Sequence, residues 1–453
     1  MSDDSQFTAT PDATSTADQG APCIEARWEK PVVAADGGEA TLLVRITASA
    51  QRETESERAA PLDVAFVLDR SGSMSGGKLT LAKEGVDLAV ARLRDDDRVA
   101  LVVYDDTVDT VQPLAPATPR TKAGLRLALH GIDPGGSTFL SGGWVAGCQE
   151  LAEAPPVAGN DGTGATRIRR VILLTDGLAN VGIQDAGELS RHAGELRRRG
   201  VATTTVGVGE NFDEGLLSAM AEAGGGNFQY VADPAQLRAF FSTELQELFS
   251  VVVTGFAISL SLPAGVTAEL VSAFPVETHD ERVGVAVGDV PAGDTIDLVF
   301  TVRSAPGTLS ESLPLAVKAT WTDPRADARR DVDVALDPLR RVDVGDIEPA
   351  ERDELVAEQA ALQRAAAERR AGLELDRAGR VVESRARMAN AASLLRAAPS
   401  TEAVRYDLHA SAFLAADFNP AGFDSHLRKS AQFQESQRRR GRTRRQVEDP
   451  HGS

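Results

Sequence analysis

Cysteine is almost missing from this chain: Cys23 and Cys148 are the only two in 453 residues. They lie far apart, one in a strand-like run and one in a helical segment. That excludes a disulfide framework or a cysteine-built zinc site, and both read as small buried or half-buried residues. Aromatic residues make up only 5%, so Ala, Val, Leu and Gly do most of the apolar work. Basic residues are outnumbered, 48 against 67 acidic, for a net charge of −19. Such a surface repels nucleic-acid phosphates and attracts cations, although solubility alone also accounts for it. No run approaches the roughly 20 apolar residues of a membrane span. The first twenty residues are polar and acidic, with no basic and then apolar stretch of a secretory signal. Cytoplasmic residence is the resulting expectation.

What is present divides into blocks. Residues 1–21, rich in Ser, Thr, Asp and Ala, are expected to be disordered. Residues 22–58 hold two strand-like runs around the turn Asp36-Gly37-Gly38. From 59 to 250 apolar runs alternate with helical patterns: DVAFVLD, RVALVVYDD paired with TVDTVQPL, RRVILLTD and VATTTVGVG, with helices between. That alternation predicts an α/β fold, a doubly wound and mostly parallel sheet covered on both faces. Residues 251–343 switch to six short strands separated by turns such as Pro263-Ala264-Gly265, which predicts an antiparallel β-sandwich. The early pair of strands would be marginal alone. They are therefore expected to complete this sandwich, with the α/β domain inserted. Residues 344–432 read as helical, with a hairpin broken at Gly379, and 433–453 as a basic disordered tail. From Ser425 onward the local charge is +5, against −24 for the rest. This segment could touch an acidic partner, or fold back on its own acidic body.

The chemistry concentrates at Asp69-Arg70-Ser71-Gly72-Ser73, directly after DVAFVLD. Ligands of doubly wound sheets bind at the carboxyl ends of strands. Asp, Ser and Ser at alternate positions of a tight loop aim three oxygens at one locus. A hard cation such as Mg²⁺ needs that, with oxygen ligands in near-octahedral array at about 2.1 Å. Thr138, after Gly135-Gly136-Ser137, and Asp176, ending VILLTD, lie in loops that converge on the same edge. Five oxygens leave at least one octahedral position for water or a partner's carboxylate.

This set, Asp69-x-Ser71-x-Ser73 with Thr138 and Asp176, resembles the metal-ion-dependent adhesion site of von Willebrand factor type A domains. The resemblance covers about residues 61–249. It implies metal-proximal Asp69, Ser71, Ser73 and Thr138, with Asp176 often acting through water. It also implies Mg²⁺, Mn²⁺ or Ca²⁺ as the ion and an acidic residue of another protein as the last ligand. The remaining blocks resemble bacterial intracellular proteins that join this domain to a β-sandwich and a helical hairpin. In those the domain is thought to assemble complexes with AAA+ ATPases, kinases or phosphatases.

Rival readings leave weaker traces. A dehalogenase-type phosphatase needs a second Asp where Ser71 stands. No phosphate-binding Gly-x-x-x-x-Gly-Lys-Ser/Thr is present, and Gly207-Val208-Gly209 lacks the third glycine of a dinucleotide fingerprint. His130 and His192 fall on helices, away from any nucleophile motif, so metal-assisted phosphoester hydrolysis lacks a general base. Asp95-Asp96-Asp97 reads as a solvated turn and Trp144 as a packed core residue. The expectation is an interaction module and not an enzyme. Its alternatives are binding through the helical C-terminal region, with a structural metal, and, behind that, a metal-dependent phosphoesterase.

Overall fold

The computed structural model describes residues 21–49, 60–153, 167–233, 236–324, 328–416 and 422–439. The disorder expected for 1–20 and for 440–453 falls outside them. The chain opens with β1 (Cys23–Trp28), β2 (Val32–Ala34) and β3 (Gly38–Thr47). Pro31 lies between β1 and β2 and cannot donate to a ladder, so the single run read from sequence is two strands here. Cys23 is exposed and Cys148 buried, and both are free thiols.

The α/β unit then runs β4 (Leu62–Asp69), α1 (Lys78–Ala91), β5 (Arg98–Tyr104), β6 (Val108–Pro116), α2 (Pro119–His130), α3 (Leu140–Ala152), β7 (Ile168–Thr175), α4 (Ala186–Arg198), β8 (Val201–Val208), α5 (Glu214–Ala223), β9 (Gly225–Val231) and α6 (Leu237–Phe249). The sheet order is β6-β5-β4-β7-β8-β9. All pairs are parallel except the hairpin of β5 with β6. All eight residues of β4 are buried, because alternate side chains enter opposite cores. Phe66 and Leu68 meet Leu79, Val86 and Phe241 of α1 and α6. Ala65 and Val67 meet Trp144 and Cys148 of α3. Helix α3 lies so close that a Cβ on Gly147 would sit 2.3 Å from Val67 Cγ2. Trp144 is fully buried and its Nε1 donates to Thr203 Oγ1 at 3.2 Å.

At the amino ends of these strands Asp63, fully buried, accepts from Arg98 Nε at 2.8 Å and Arg167 Nε at 2.7 Å. The turn Asp95-Asp96-Asp97 is only partly solvated. Asp97 is buried and accepts from the Leu62 and Arg94 amides at 2.9 and 2.6 Å, pinning the start of β4.

Nine strands follow: β10 (Val251–Ser261), β11 (Val266–Leu270), β12 (Val276–His279), β13 (Arg282–Pro291), β14 (Thr295–Ser304), β15 (Ser312–Leu313), β16 (Ala316–Asp323), β17 (Ala328–Val334) and β18 (Leu339–Val342). Two sheets, β1-β3-β14-β11 and β12-β13-β10-β16-β17, enclose one apolar core, and a small sheet β15-β18-β2 flanks them. Strand β3 pairs with β14 from Thr47↔Thr295 to Gly38↔Ser304. Strands β1–β3 before the α/β unit and β10–β18 after it thus bracket the insertion.

The helical region is larger than the hairpin read from sequence. After the short α7 (Val344–Ile347) come α8 (Glu354–Arg377), α9 (Val381–Arg396), α10 (Glu402–Ala416) and α11 (Ser425–Arg439). Residues 433–439, expected in a disordered tail, are helical. Val356 and Ala360 of α8 cover the outer face of the β3–β14 pair at Leu43 and Val299. Helix α11 returns to the α/β unit, where Phe433 packs on the Trp144 side of its core.

Candidate metal centre

The sheet changes winding direction at β4 and β7, its central parallel pair. Beyond their carboxyl ends the loops diverge and leave a crevice. Asp69 closes β4 and Asp176 follows β7. Between them the site residues form a continuous chain. The Ser71 amide donates to Asp69 Oδ1 at 2.7 Å, Ser71 Oγ and Ser73 Oγ lie 3.1 Å apart, and Ser73 Oγ donates to Asp176 Oδ1 at 2.7 Å. Thr138 arrives from the loop before α3. A Cβ built on Gly177 would stand 3.4 Å from Ser73 Oγ and 3.5 Å from Thr138 Oγ1, so both hydroxyls border one point beside that glycine. All five residues singled out in the sequence therefore meet at one crevice. Asp69, Ser71, Thr138 and Asp176 are buried and Ser73 is exposed.

Backbone bonds hold the loops together: the Gly72 amide donates to the Gly136 carbonyl at 3.0 Å and the Gly135 amide to the Arg70 carbonyl at 2.6 Å. Glycine at 135 and 136 leaves room for Asp105 and Asp106, since a Cβ at either would meet their carboxylates within 2.5 Å. Arg70 is turned aside to Asp105 and Asp109.

Three supporting residues escaped the sequence reading. Thr175 Oγ1 donates to Asp69 Oδ2 at 2.6 Å. Asn180 Oδ1 accepts from the Thr138 amide at 2.8 Å. Lys78, the first residue of α1, reaches Asp176 Oδ2 at 2.5 Å. Thr175 and Asn180 flank Asp176 in sequence, and that adjacency was the available signal.

The electrostatics of Asp69 set it apart. Burial raises its pKa above the ordinary carboxylate value. Bonds from Ser71 and Thr175 oppose the rise, and the charge of Asp176 adds to it. Among the described residues no cation pairs with Asp69. A buried carboxylate with only neutral donors is poised for a positive charge. Two carboxylates and three hydroxyls are an all-oxygen set suited to a hard divalent ion. Among the described residues no group of three or more His, Cys, Asp or Glu is placed to hold a metal, so any centre here relies on those hydroxyls. His130 is exposed at the end of α2, and His192 is half-buried on α4.

The α/β unit has counterparts among known proteins. Residues 63–243 match the von Willebrand factor type A domain profile. The uncharacterized protein YfbK of Escherichia coli is 30% identical over 256 residues, which is 55% of this chain and 43% of YfbK. The chain thus spans less than half the length of that relative. Among solved structures, a von Willebrand factor type A protein from Catenulispora acidiphila superposes with a TM-score of 0.71 at 20% identity, over 96% of this chain and 100% of that one. The ArnB paralog VWA2 from Sulfolobus acidocaldarius gives 0.64 at 15% identity, over 93% and 98%. These likenesses extend the shared fold beyond the α/β unit to the sandwich and helices. The α/β unit of this chain is a von Willebrand factor type A domain, set into a β-sandwich and followed by helices.

Proposed function

We propose that the chain is a metal-dependent protein-interaction module. In this reading Asp69, Ser71, Ser73 and Thr138 hold a divalent cation, with Asp176 behind Ser73 and acting through it or through water. A partner protein's Asp or Glu then completes the coordination. The carrying observation is the linked oxygen set at the carboxyl ends of β4 and β7, built around a buried carboxylate without a cation. When bound, the ion supplies positive charge to an anionic side chain. The protein's own part is to fix the oxygens, exclude bulk water below them and leave the Ser73 side open. Docking rather than turnover is the role proposed for this site. The likeness to VWA proteins suits a scaffold, and an AAA+ ATPase, kinase or phosphatase is the class of partner proposed. Among the described residues no helix is long and apolar enough to cross a membrane, and a cytoplasmic setting is proposed with the scaffold.

The test is a titration of the metal-free protein with Mn²⁺ or Mg²⁺. Saturable binding to one site, abolished in Asp69→Ala with the fold intact, is the expected outcome. Unchanged binding in that variant would sink the reading. A second reading places recognition on α10, where Tyr406 and Phe413, seven residues apart and so on one face, are 60% and 63% exposed. Partner capture that survives EDTA and Asp69→Ala but fails in Tyr406→Ser/Phe413→Ser would favour it.

A further inference from the structure

Lys78 has no evident helical reason for its position. It opens α1 behind the N-cap Gly77, where the helix dipole disfavours a cation. Its side chain nevertheless turns back over the crevice and is three-quarters buried. Nζ donates to Asp176 Oδ2 at 2.5 Å and to the Ser73 carbonyl at 3.3 Å. Asp176 is fully buried, with its other oxygen taken by Ser73. The other nearby cation, Arg70, is engaged by Asp105 and Asp109. Lys78 is therefore the cation that, among the described residues, answers Asp176 at this site.

We propose that Lys78 is a resident counter-charge of the metal centre. It neutralises Asp176 in the metal-free protein and leaves the loaded centre with one positive charge in excess, which makes it selective for an anionic outer ligand. The inference rests on the metal-site reading above and deepens it. Asp69 and Asp176 alone would cancel a divalent ion and leave the open position with no electrostatic preference. With Lys78 retained, the sum is positive, and a carboxylate is favoured over water there. The same charge weakens capture of the bare ion. A site tuned this way gives up some metal affinity and gains affinity for the acidic partner.

The experiment uses the full chain, Mn²⁺ as the metal probe and acetate as the carboxylate probe, with chloride at matched ionic strength as reference. Lys78→Met keeps the length of the side chain and removes the charge, and Lys78→Arg keeps the charge. Expected for Lys78→Met is Mn²⁺ binding tighter by about tenfold, with acetate binding to the loaded site weaker by a similar factor. Lys78→Arg should follow the wild type in both. Mn²⁺ binding that is unchanged or weaker in Lys78→Met overturns the proposal, because it assigns Lys78 only to ordering Asp176. Equal acetate affinity in Lys78→Met and wild type overturns it as well, and so does a Lys78→Arg that behaves like Lys78→Met. Wild-type protein that takes up no Mn²⁺ refutes the metal site itself. Wild-type binding with indistinguishable Lys78 variants refutes this inference alone.

Discussion

Removing the carboxylate of Glu214 tests how the helical region is held on the VWA domain. Glu214 opens α5 and is almost fully buried. Its Oε1 accepts from Arg377 of α8 at 3.1 Å and Arg428 of α11 at 2.7 Å, and its Oε2 accepts from Lys429 at 3.0 Å. Burial disfavours its charge, but Arg377 and Lys429 outweigh that and hold its pKa at about 2, down from 4.5. In Glu214→Ala the Lys429 ammonium, itself buried, keeps the Phe212 ring at 4.6 Å but loses its anion. Stripping one partner from a buried ion pair costs about 3–5 kcal/mol. Arg377 and Arg428, each a quarter exposed, can recover water, so about 3 kcal/mol is expected, enough to loosen α11 locally. Hydrogen exchange read by mass spectrometry should show α11 and the first turn of α5 opening about 100-fold more often. Exchange in α11 that is unchanged refutes the staple. The pH dependence has a definite sign. The folded pKa lies below the unfolded one, so the stabilisation is complete above about 4.5 and fades as pH falls toward 2. The stability gap between wild type and Glu214→Gln in urea, about 2 kcal/mol after allowance for screening, should therefore narrow as pH falls from about 5 and close only below about 2. A gap that does not vary with pH contradicts the assignment.

Two further substitutions probe what positions the candidate site. Gly147→Ala forces a methyl to within 2.3 Å of Val67 Cγ2 on β4. It should cost about 1–3 kcal/mol and lower the melting temperature by several degrees, and a change below about 0.5 kcal/mol would show that α3 is not in close contact. Asp63→Ala leaves Arg98 and Arg167 facing one another without their carboxylate. A loss of about 3–5 kcal/mol in chemical denaturation is expected, and a neutral result would mean that the two arginines reach solvent.

The parts that were legible in the sequence are those whose cause is local. DVAFVLD reads as a doubly buried strand because both faces of β4 meet apolar layers. Its ligand loop is legible because Asp69, Ser71 and Ser73 follow within four residues. The sandwich was readable from turn-punctuated strands, yet the parallel pairing of β2 with β18 joins residues about 300 apart and leaves no local trace. Helices α10 and α11 lie largely inside the block read as helical, but they were not resolved there as separate elements beyond the hairpin. Their buried faces interleave Val404, Leu414 and Ala431 with Asp407, Ser411, Lys429, Gln432 and Glu435, which weakens the hydrophobic periodicity. Those polar residues are buried because they meet partners: Arg369 of α8 binds Asp407, Ser411 and Glu435 together. A polar helix can pack when its charges are answered from another element, and that answer lies elsewhere in the chain. Lys78, likewise, looks like an ordinary surface lysine of a helix until β7 brings Asp176 beside it.

Two buried aspartates at opposite ends of β4 show how the same residue type can serve the fold or the site. Asp63 lies at the amino end, with Arg98 and Arg167 within 2.7 Å and Arg169 at 3.8 Å. Its charge is answered inside the protein, and it ties β4 to β5 and to the chain entering β7. Asp69 lies at the carboxyl end, equally buried, and among the described residues is met by neutral donors of Ser71 and Thr175. Both are fully buried, but among the described residues only Asp63 is met by cations. Folding alone would favour an arginine beside Asp69 as well, since an unanswered buried carboxylate destabilises the native state. Leaving it unanswered makes sense where something outside the chain supplies the charge. The strand thus runs from an aspartate answered by arginines to one that, among the described residues, receives only neutral donors.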